Sequence, residues 1–270
     1  KMKIMTKKEI VLNTIAHRES GVVPYAIGFT QKAHEKMAAY YNDANFASKL
    51  GNFLCSLDTA PANAWTEVKP HFWRDQFGVV WDRTVDEDIG VPVNSLVTPK
   101  NIDQFLFPDP DDPFRYANFE ETIEQNREFF LSAGIGFSLY ERAWTLAGME
   151  NILMAMVTDR PFVERLLDRI TEFNLRVIRN CVAFDIDAMR FGDDWGQQHG
   201  LIFGAPLWRE IIKPRIAKMY RAVKDAGKKV FIHSCGMVDE IFPDLIEVGL
   251  DVFNPFQPEV MDVFAVKDKF

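Results

Sequence analysis

The feature that most constrains the fold is a regular alternation of short apolar runs and helix-like segments in the second half of the chain. The apolar runs lie at residues 135–140, 188–191, 228–236 and 250–253 and have the length of buried strands. They recur at intervals of about 40, 40 and 20 residues, which suit parallel strands joined by helices. The alternation therefore predicts an α/β fold with a parallel sheet.

The segments between these runs carry helix signals. Asn118 can cap a helix that ends before Gly134. Asp159 and Pro161 open a long helix with apolar residues at helical spacing, among them Cys181, which is expected in the core. Two further helices are predicted from Pro206 to Gly227 and over residues 238–248.

The first half of the chain is less regular. Thr6 begins a capping box of a first helix, and strands are predicted at residues 22–28 and 53–57. Residues 60–115 read as a loop and hairpin excursion, with the hairpin near residues 73–81. With about six strands, the chain forms either an open sheet or a (β/α)8 TIM barrel that lacks its last one or two βα units. We favour the barrel, as a single, C-terminally incomplete domain over residues 1–270.

Composition excludes several classes of function. The 270 residues carry a net charge of −8, with a pI of about 5.2, so a basic nucleic-acid-binding surface is not expected. No apolar run approaches the roughly 18 residues of a membrane span. Three widely separated cysteines do not make a disulfide framework, which favours a reducing, cytoplasmic setting. The sequence is compatible with either a monomer or an oligomer.

The run at 228–236 ends with a pair of potential metal ligands. His233 and Cys235 are two residues apart, so both point to the same side of a strand end. Imidazole and thiolate are typical zinc ligands, although both residue types also occur simply buried in cores. A catalytic zinc usually has three protein ligands. The third would be Cys55, or would lie beyond residue 270.

Other predicted strand ends carry polar and aromatic residues. Asp193, Asp194 and Glu141 are candidate catalytic residues, whereas the substrate-binding candidates are Tyr140, Trp195, Asn254 and Gln257. Each has a structural alternative. The aspartates can cap a helix, Glu141 can pair with Arg142, and the amides can satisfy loop backbone. The glycines at 134 and 136 lack the spacing of a dinucleotide-binding fingerprint.

Four segments together resemble the uroporphyrinogen decarboxylase (URO-D) superfamily. They are residues 191–196 (FGDDWG), 208–215 (WREIIKPR), 229–236 (KVFIHSCG) and 251–258 (DVFNPFQP). The resemblance covers most of the chain, is specific from residue 135 onward, and implies a (β/α)8 barrel. It also implies one of two activities: decarboxylation of uroporphyrinogen, or methyl transfer between a corrinoid protein and a thiol or a pterin.

One departure separates these activities. True uroporphyrinogen decarboxylases carry an arginine-rich motif after the first strand, whereas residues 25–32 here read YAIGFTQK, without arginine. A substrate with many carboxylates needs fixed cations, which guanidinium groups supply best. The thiol-specific methyltransferases hold zinc with a His-x-Cys pair and a later cysteine, and His233 and Cys235 match the first two positions.

The resemblance therefore implies a methyltransferase that works with a corrinoid-binding partner protein. Zinc on His233 and Cys235 would activate a thiol, which would take the methyl group of methylcobalamin. A tetrahydrofolate-type acceptor would instead use the carboxylates and amides and could dispense with zinc. One alternative is a uroporphyrinogen decarboxylase-like carboxy-lyase, in which arginines elsewhere, such as Arg142 or Arg190, would replace the missing motif. The other is a non-catalytic barrel that binds a corrinoid protein.

Overall fold

Five parallel strands form the centre of the structure, a computed structural model that describes residues 5–270. The strands of the whole described region are β1 (Leu54–Asp58), β2 (Thr66–Lys69), β3 (Phe72–Arg74), β4 (Val80–Asp82), β5 (Val91–Pro92), β6 (Phe130–Ile135), β7 (Ala188–Gly192), β8 (Gly196–Gln197), β9 (Gly200–Leu201), β10 (Lys229–His233) and β11 (Val252–Asn254). The central sheet has the order β1-β6-β7-β10-β11, and every neighbouring pair is parallel.

Helices connect and cover these strands. They are α1 (Lys7–Ile15), α2 (Gln31–Tyr41), α3 (Phe119–Gln125), α4 (Tyr140–Ala147), α5 (Met149–Thr158), α6 (Arg160–Val182), α7 (Ala205–Leu207), α8 (Lys213–Asp225), α9 (Phe242–Glu247) and α10 (Val263–Lys269). A π-helix, Trp208–Ile212, joins α7 to α8. The order of strands and helices from β6 onward is the βαβ alternation that the sequence predicts.

The two faces of the central sheet have different roles. The outer face packs against α6 and α8, whose apolar stripes are buried; Cys181 of α6 is 0% exposed, as expected for a core position. On the inner face, Val11 of α1 packs with Phe130 and Phe231 near the starts of the strands. Helix α1 thus covers the N-terminal end of the sheet, and the opposite end is left for polar residues.

Two strand predictions are wrong: one strand lies earlier in the chain than predicted, and the other does not form. The strand predicted at residues 135–140 lies at Phe130–Ile135, because Leu139 and Tyr140 already begin the next helix, and the helix from Asn118 ends at Gln125. Residues 22–28 form no strand. The segment touches the chain before β1, where Phe53 N–H donates to the Tyr25 carbonyl at 2.9 Å, and it builds no ladder.

The region 60–115 contains a separate four-stranded antiparallel sheet in the order β2-β3-β4-β5. Asp75, 7% exposed, joins it to the rest of the protein. Its carboxylate accepts hydrogen bonds from Val79 N–H at 3.0 Å and the Trp81 indole at 3.2 Å. It also pairs with Arg142 of α4 at 3.0 Å. This small sheet is therefore attached to α4 through a buried ion pair.

None of the helices in residues 5–270 is both long enough and apolar enough to cross a lipid bilayer.

We expect Asp75→Ala to lower the free energy of unfolding by about 3–5 kcal/mol, because it leaves the Arg142 guanidinium buried without its carboxylate. Chemical denaturation followed by circular dichroism measures the change. The matched control is Asp103→Ala, which removes an exposed ion pair with Arg165 and should cost less than about 1 kcal/mol. Equal losses in the two variants would contradict the role assigned to Asp75.

Candidate metal centre and active site

The C-terminal ends of β7, β10 and β11 lie side by side and carry the candidate residues. In the register of these strands, His233 is opposite Gly192 on one side and Asn254 on the other. Parallel strands place all their carboxyl ends at one edge of the sheet, so residues far apart in sequence meet there. Asp193 and Asp194 follow β7 directly, and Cys235 follows β10.

Three side chains at this edge could hold a metal ion. One ligand atom each from Asp194, His233 and Cys235 lies within 4.8 Å of the others, and no other such group of three occurs among residues 5–270. Cys235 Sγ is 3.5 Å from His233 Nε2. Sulfur and nitrogen ligands of a tetrahedral zinc, at about 2.3 and 2.0 Å from the ion, stand roughly 3.5 Å apart. The donor set and its spacing therefore fit zinc.

Asn254 orients the imidazole of His233. Its Oδ1 lies 2.8 Å from His233 Nδ1, so Nδ1–H donates to the amide oxygen. That tautomer leaves a lone pair on Nε2, the nitrogen that faces Cys235. A hydrogen bond of this kind from the second ring nitrogen is the usual support of a metal-ligating histidine.

Asp194 is joined to the same loop as Cys235. Its Oδ1 accepts a hydrogen bond from the Cys235 backbone N–H at 2.8 Å. Burial raises the pKa of the Cys235 thiol to about 11, and the negative charge of Asp194 adds to the shift. Without a metal the thiol is therefore protonated at neutral pH, and a bound cation would favour the thiolate.

Two glycines allow the loops after β7 and β10 to approach each other. Gly196 N–H donates to the Cys235 carbonyl at 3.2 Å. A Cβ on Gly236 would lie 2.3 Å from the Gly196 carbonyl carbon, and the φ of Gly236 is +85°. Only glycine fits this backbone position, which holds Cys235 against the loop of Asp194.

Asp193 is 0% exposed and holds the start of α4. Its carboxylate accepts hydrogen bonds from Tyr140 N–H at 3.1 Å, Glu141 N–H at 2.8 Å and the Trp195 indole N–H at 2.6 Å. Burial raises its pKa to about 6, against the effect of these donors. Asp193 therefore caps a helix, as the structural alternative for the aspartates expects. The helix is α4, which comes before β7 in the chain and not directly after it.

Glu141 is a further carboxyl group near this edge. Burial, followed by the charges of Asp193 and Asp194, raises its pKa to about 8. Arg142 does not form an ion pair with it, because the arginine pairs with Asp75. Glu141 is therefore a carboxyl group that can take up or release a proton near neutral pH.

The remaining candidates occupy different surroundings. Tyr140 and Trp195 are 0% exposed, Tyr140 packing on Phe203 and Trp195 on Trp208. The Gln257 side-chain oxygen accepts a hydrogen bond from Gly236 N–H. Cys55 lies within β1, opposite Leu131 and three residues before the end of its strand, and does not belong to the group of three.

The sequence predicts a catalytic role for Asp194, whereas its carboxylate lies among the three potential metal ligands. Its position one residue after Asp193, at a strand end beside β10, was the available signal. Arg190 is one of the arginines that a decarboxylase would need in place of the missing motif. This residue lines a cavity of about 340 Å³ inside the sheet with Ser56, Asp58, His233 and Asn254.

A family model described as uroporphyrinogen decarboxylase (URO-D) matches residues 97–259, more than half of the chain. The chain belongs to the URO-D family. A search of curated proteins found no match. Among solved structures, a methyltransferase from Methanosarcina mazei is similar over 98% of this chain and 80% of that chain, with a TM-score of 0.69 and 14% sequence identity. At that identity the likeness concerns the fold, and it confirms a partial barrel of the URO-D type.

We expect Cys235 of this URO-D family protein, freed of metal by a chelator, to react slowly with iodoacetamide. With a thiol pKa of about 11, the alkylation rate should rise about tenfold per pH unit between pH 7 and 10. Asp194→Asn removes a negative charge that disfavours the thiolate and should raise the rate several-fold at pH 8. Mass spectrometry of the Cys235 peptide measures the rate.

The control for this measurement is Asp185→Asn, an exposed acid at the start of the loop before β7, which should leave the rate unchanged. A Cys235 rate that is independent of pH above 8 would contradict the assignment.

Proposed function

We propose that this protein is a methyltransferase that moves a methyl group between a corrinoid-binding protein and a thiol. The observation that carries the proposal is the placement of Asp194, His233 and Cys235 within 4.8 Å at the carboxyl edge of the sheet. Membership of the URO-D family and the fold shared with a methyltransferase support it.

Zinc is the metal that this donor set suits. Asp194, His233 and Cys235 would hold it, with Asn254 keeping the Nε2 lone pair of His233 directed at the ion. When bound, zinc would lower the pKa of a coordinated thiol and so supply a thiolate at neutral pH. Three protein ligands leave a fourth position for an incoming thiol, as catalytic zinc sites require.

The protein's own groups would manage the proton and the acceptor. Glu141, with a pKa of about 8, is suited to accept the proton that the thiol loses. Asp193 holds the backbone of Glu141 and so positions its side chain. The acceptor sulfur would form a bond to the methyl carbon of methylcobalamin while the Co–C bond breaks and its electron pair stays on cobalt. The corrinoid protein would dock over this edge.

A second function has one specific observation in its favour. Arg190 lines the cavity below His233 and has no ion-pair partner among residues 5–270. A guanidinium in that place could bind a substrate carboxylate, as a decarboxylase acting on a porphyrinogen requires. Arg142, the other candidate, is occupied by Asp75. We rank this function below methyl transfer because a substrate with many carboxylates needs several cations, and Arg190 supplies only one.

We expect the purified protein to contain about one zinc per chain by elemental analysis, and Cys235→Ala to contain none. Asn254→Ala should bind zinc 10–100-fold more weakly in competition with a chromophoric chelator, because His233 loses the group that orients it. The control is Asn180→Ala, whose amide contacts Asp111 at a distant surface and should leave affinity unchanged. Equal zinc content in wild type and Cys235→Ala would contradict the proposed metal centre.

The zinc-loaded protein should demethylate methylcobalamin in the presence of a thiol, followed by the change in the corrinoid absorption spectrum. Glu141→Gln should lower the rate most near and above pH 8, where the Glu141 carboxylate is ionised and can accept the thiol proton. Below about pH 7 the Glu141 carboxyl group is itself protonated, so the two proteins should differ little there. The control is Glu150→Gln, an exposed acid at the start of α5.

Two results would contradict methyl transfer to a thiol. Turnover of uroporphyrinogen without methylcobalamin demethylation would favour the decarboxylase. Binding of a corrinoid protein without any turnover, with thiols or pterins, would favour the non-catalytic barrel.

A further inference from the structure

A second cavity lies between the antiparallel sheet of residues 66–92 and helix α6, beside the candidate metal centre. It measures about 180 Å³. It shares Asp58, Ile135 and Gly136 with the cavity that His233 lines. Its walls include four aromatic side chains: Trp65, Phe77, Phe137 and Phe173. Nothing in the proposed methyl transfer uses this space.

Two buried arginines line this cavity. Arg115 is 4% exposed and Arg142 is 8% exposed. Lysine and arginine side chains are almost never buried to this extent unless they are paired, because removing the charge from water is costly. The cavity therefore concentrates positive charge in a place where it needs a partner.

Arg142 has its partner, whereas Arg115 does not. Arg142 Nη1 pairs with Asp75 at 3.0 Å. Arg115 donates instead to neutral acceptors: Nε to the Asp109 carbonyl at 2.7 Å and Nη1 to the Thr59 carbonyl at 3.0 Å, and Nη2 to the Gln76 side-chain oxygen. Burial lowers the pKa of Arg115, and the nearby Tyr116, Asp112 and Asp109, none of which forms an ion pair with it, raise this pKa by less.

Both guanidinium groups lie over aromatic rings. Arg115 lies over the Phe173 ring, 5.3 Å from its centroid, and Arg142 lies over the Phe77 ring at 4.0 Å. A contact with a ring face does not use the N–H groups, so those that do not already donate to the protein remain available to a ligand. The Arg142 side chain donates through Nη1 alone. Its Nε and Nη2 have no hydrogen-bond acceptor among residues 5–270.

The ligand that fits these walls combines a negative charge with a flat apolar body. A carboxylate can accept two parallel N–H bonds from an arginine fork. An apolar cavity of about 150 Å³ holds a benzene ring, so this one can hold a ring with a small substituent. The other acid on its walls, Asp58, is exposed, and its Oδ1 accepts a hydrogen bond from Ala60 N–H at 2.9 Å, so it competes weakly for the buried charge.

We propose that this cavity is a binding site for a small aromatic carboxylate, whose carboxylate group bonds Arg115 and Arg142 and whose ring packs among Phe77, Phe137 and Phe173. The site is separate from the metal ligands, and its occupation does not depend on zinc or on methyl transfer.

Isothermal titration of benzoate into the metal-free full chain tests the proposal. We expect saturable binding with one site per chain. Methyl benzoate, which keeps the ring and loses the charge, should bind at least tenfold more weakly. This comparison uses wild-type protein only, so it does not depend on whether any variant folds. Inorganic phosphate should also bind more weakly, because it leaves the aromatic walls without a partner.

Variants locate the site. Arg115→Lys and Arg142→Lys keep the charge but lose the fork, and each should weaken benzoate binding at least tenfold. The matched control is Arg190→Gln, in the neighbouring cavity, which should leave the affinity within twofold. Circular dichroism confirms that each variant is folded.

Three results would overturn the proposal: no saturable benzoate binding to wild-type protein, equal affinity for methyl benzoate, or loss of binding in Arg190→Gln with retention in both lysine variants. The last result would place the carboxylate in the cavity below His233 instead.

Discussion

The carboxylate of Asp193 is the interaction on which the arrangement of the site depends. It is completely buried at the end of β7 and accepts N–H groups from the first turn of α4 and from Trp195. Asp193 N–H in turn donates to the His233 carbonyl at 2.9 Å. One residue thereby fixes the end of one strand, the end of its neighbour and the start of a helix. Asp194 and Glu141 owe their positions to it.

The chemistry of the site follows from two properties of its acids and its thiol: they are buried from water, and no positive charge balances them. Glu141, Asp193 and Asp194 lie close enough for their charges to raise the pKa of Glu141, and burial acts in the same direction. The pKa of the Cys235 thiol is raised for the same reasons. A cluster of acids and a thiol without a cation is electrostatically unfavourable, and a divalent metal would relieve it. The positive charges nearby, Arg142 and Arg115, face another cavity.

Parts of the fold could be predicted because their signals are local. The capped helix from Asp159, with Cys181 on its apolar stripe, is present in the structure, and so are strands at the apolar runs near 188 and 229. The strand predicted at 135–140 lies earlier in the chain because the apolar residues Leu139 and Tyr140 begin a buried helix. Periodicity alone cannot distinguish a short buried strand from a buried helix start. The segment at 22–28 forms no strand, since strand formation depends on a neighbouring strand that local sequence does not specify.

By itself the sequence determined the parallel α/β alternation, the family resemblance and the placing of His233 and Cys235 on one side of a strand end. These follow from periodicities of two and about 3.6 residues and from short motifs. Only the tertiary structure decided that Asp194, and not Cys55, stands beside that pair, that Asn254 holds the imidazole, and that Arg142 turns to Asp75. Such contacts depend on strand order and register, which bring together side chains more than twenty residues apart and which no local pattern encodes.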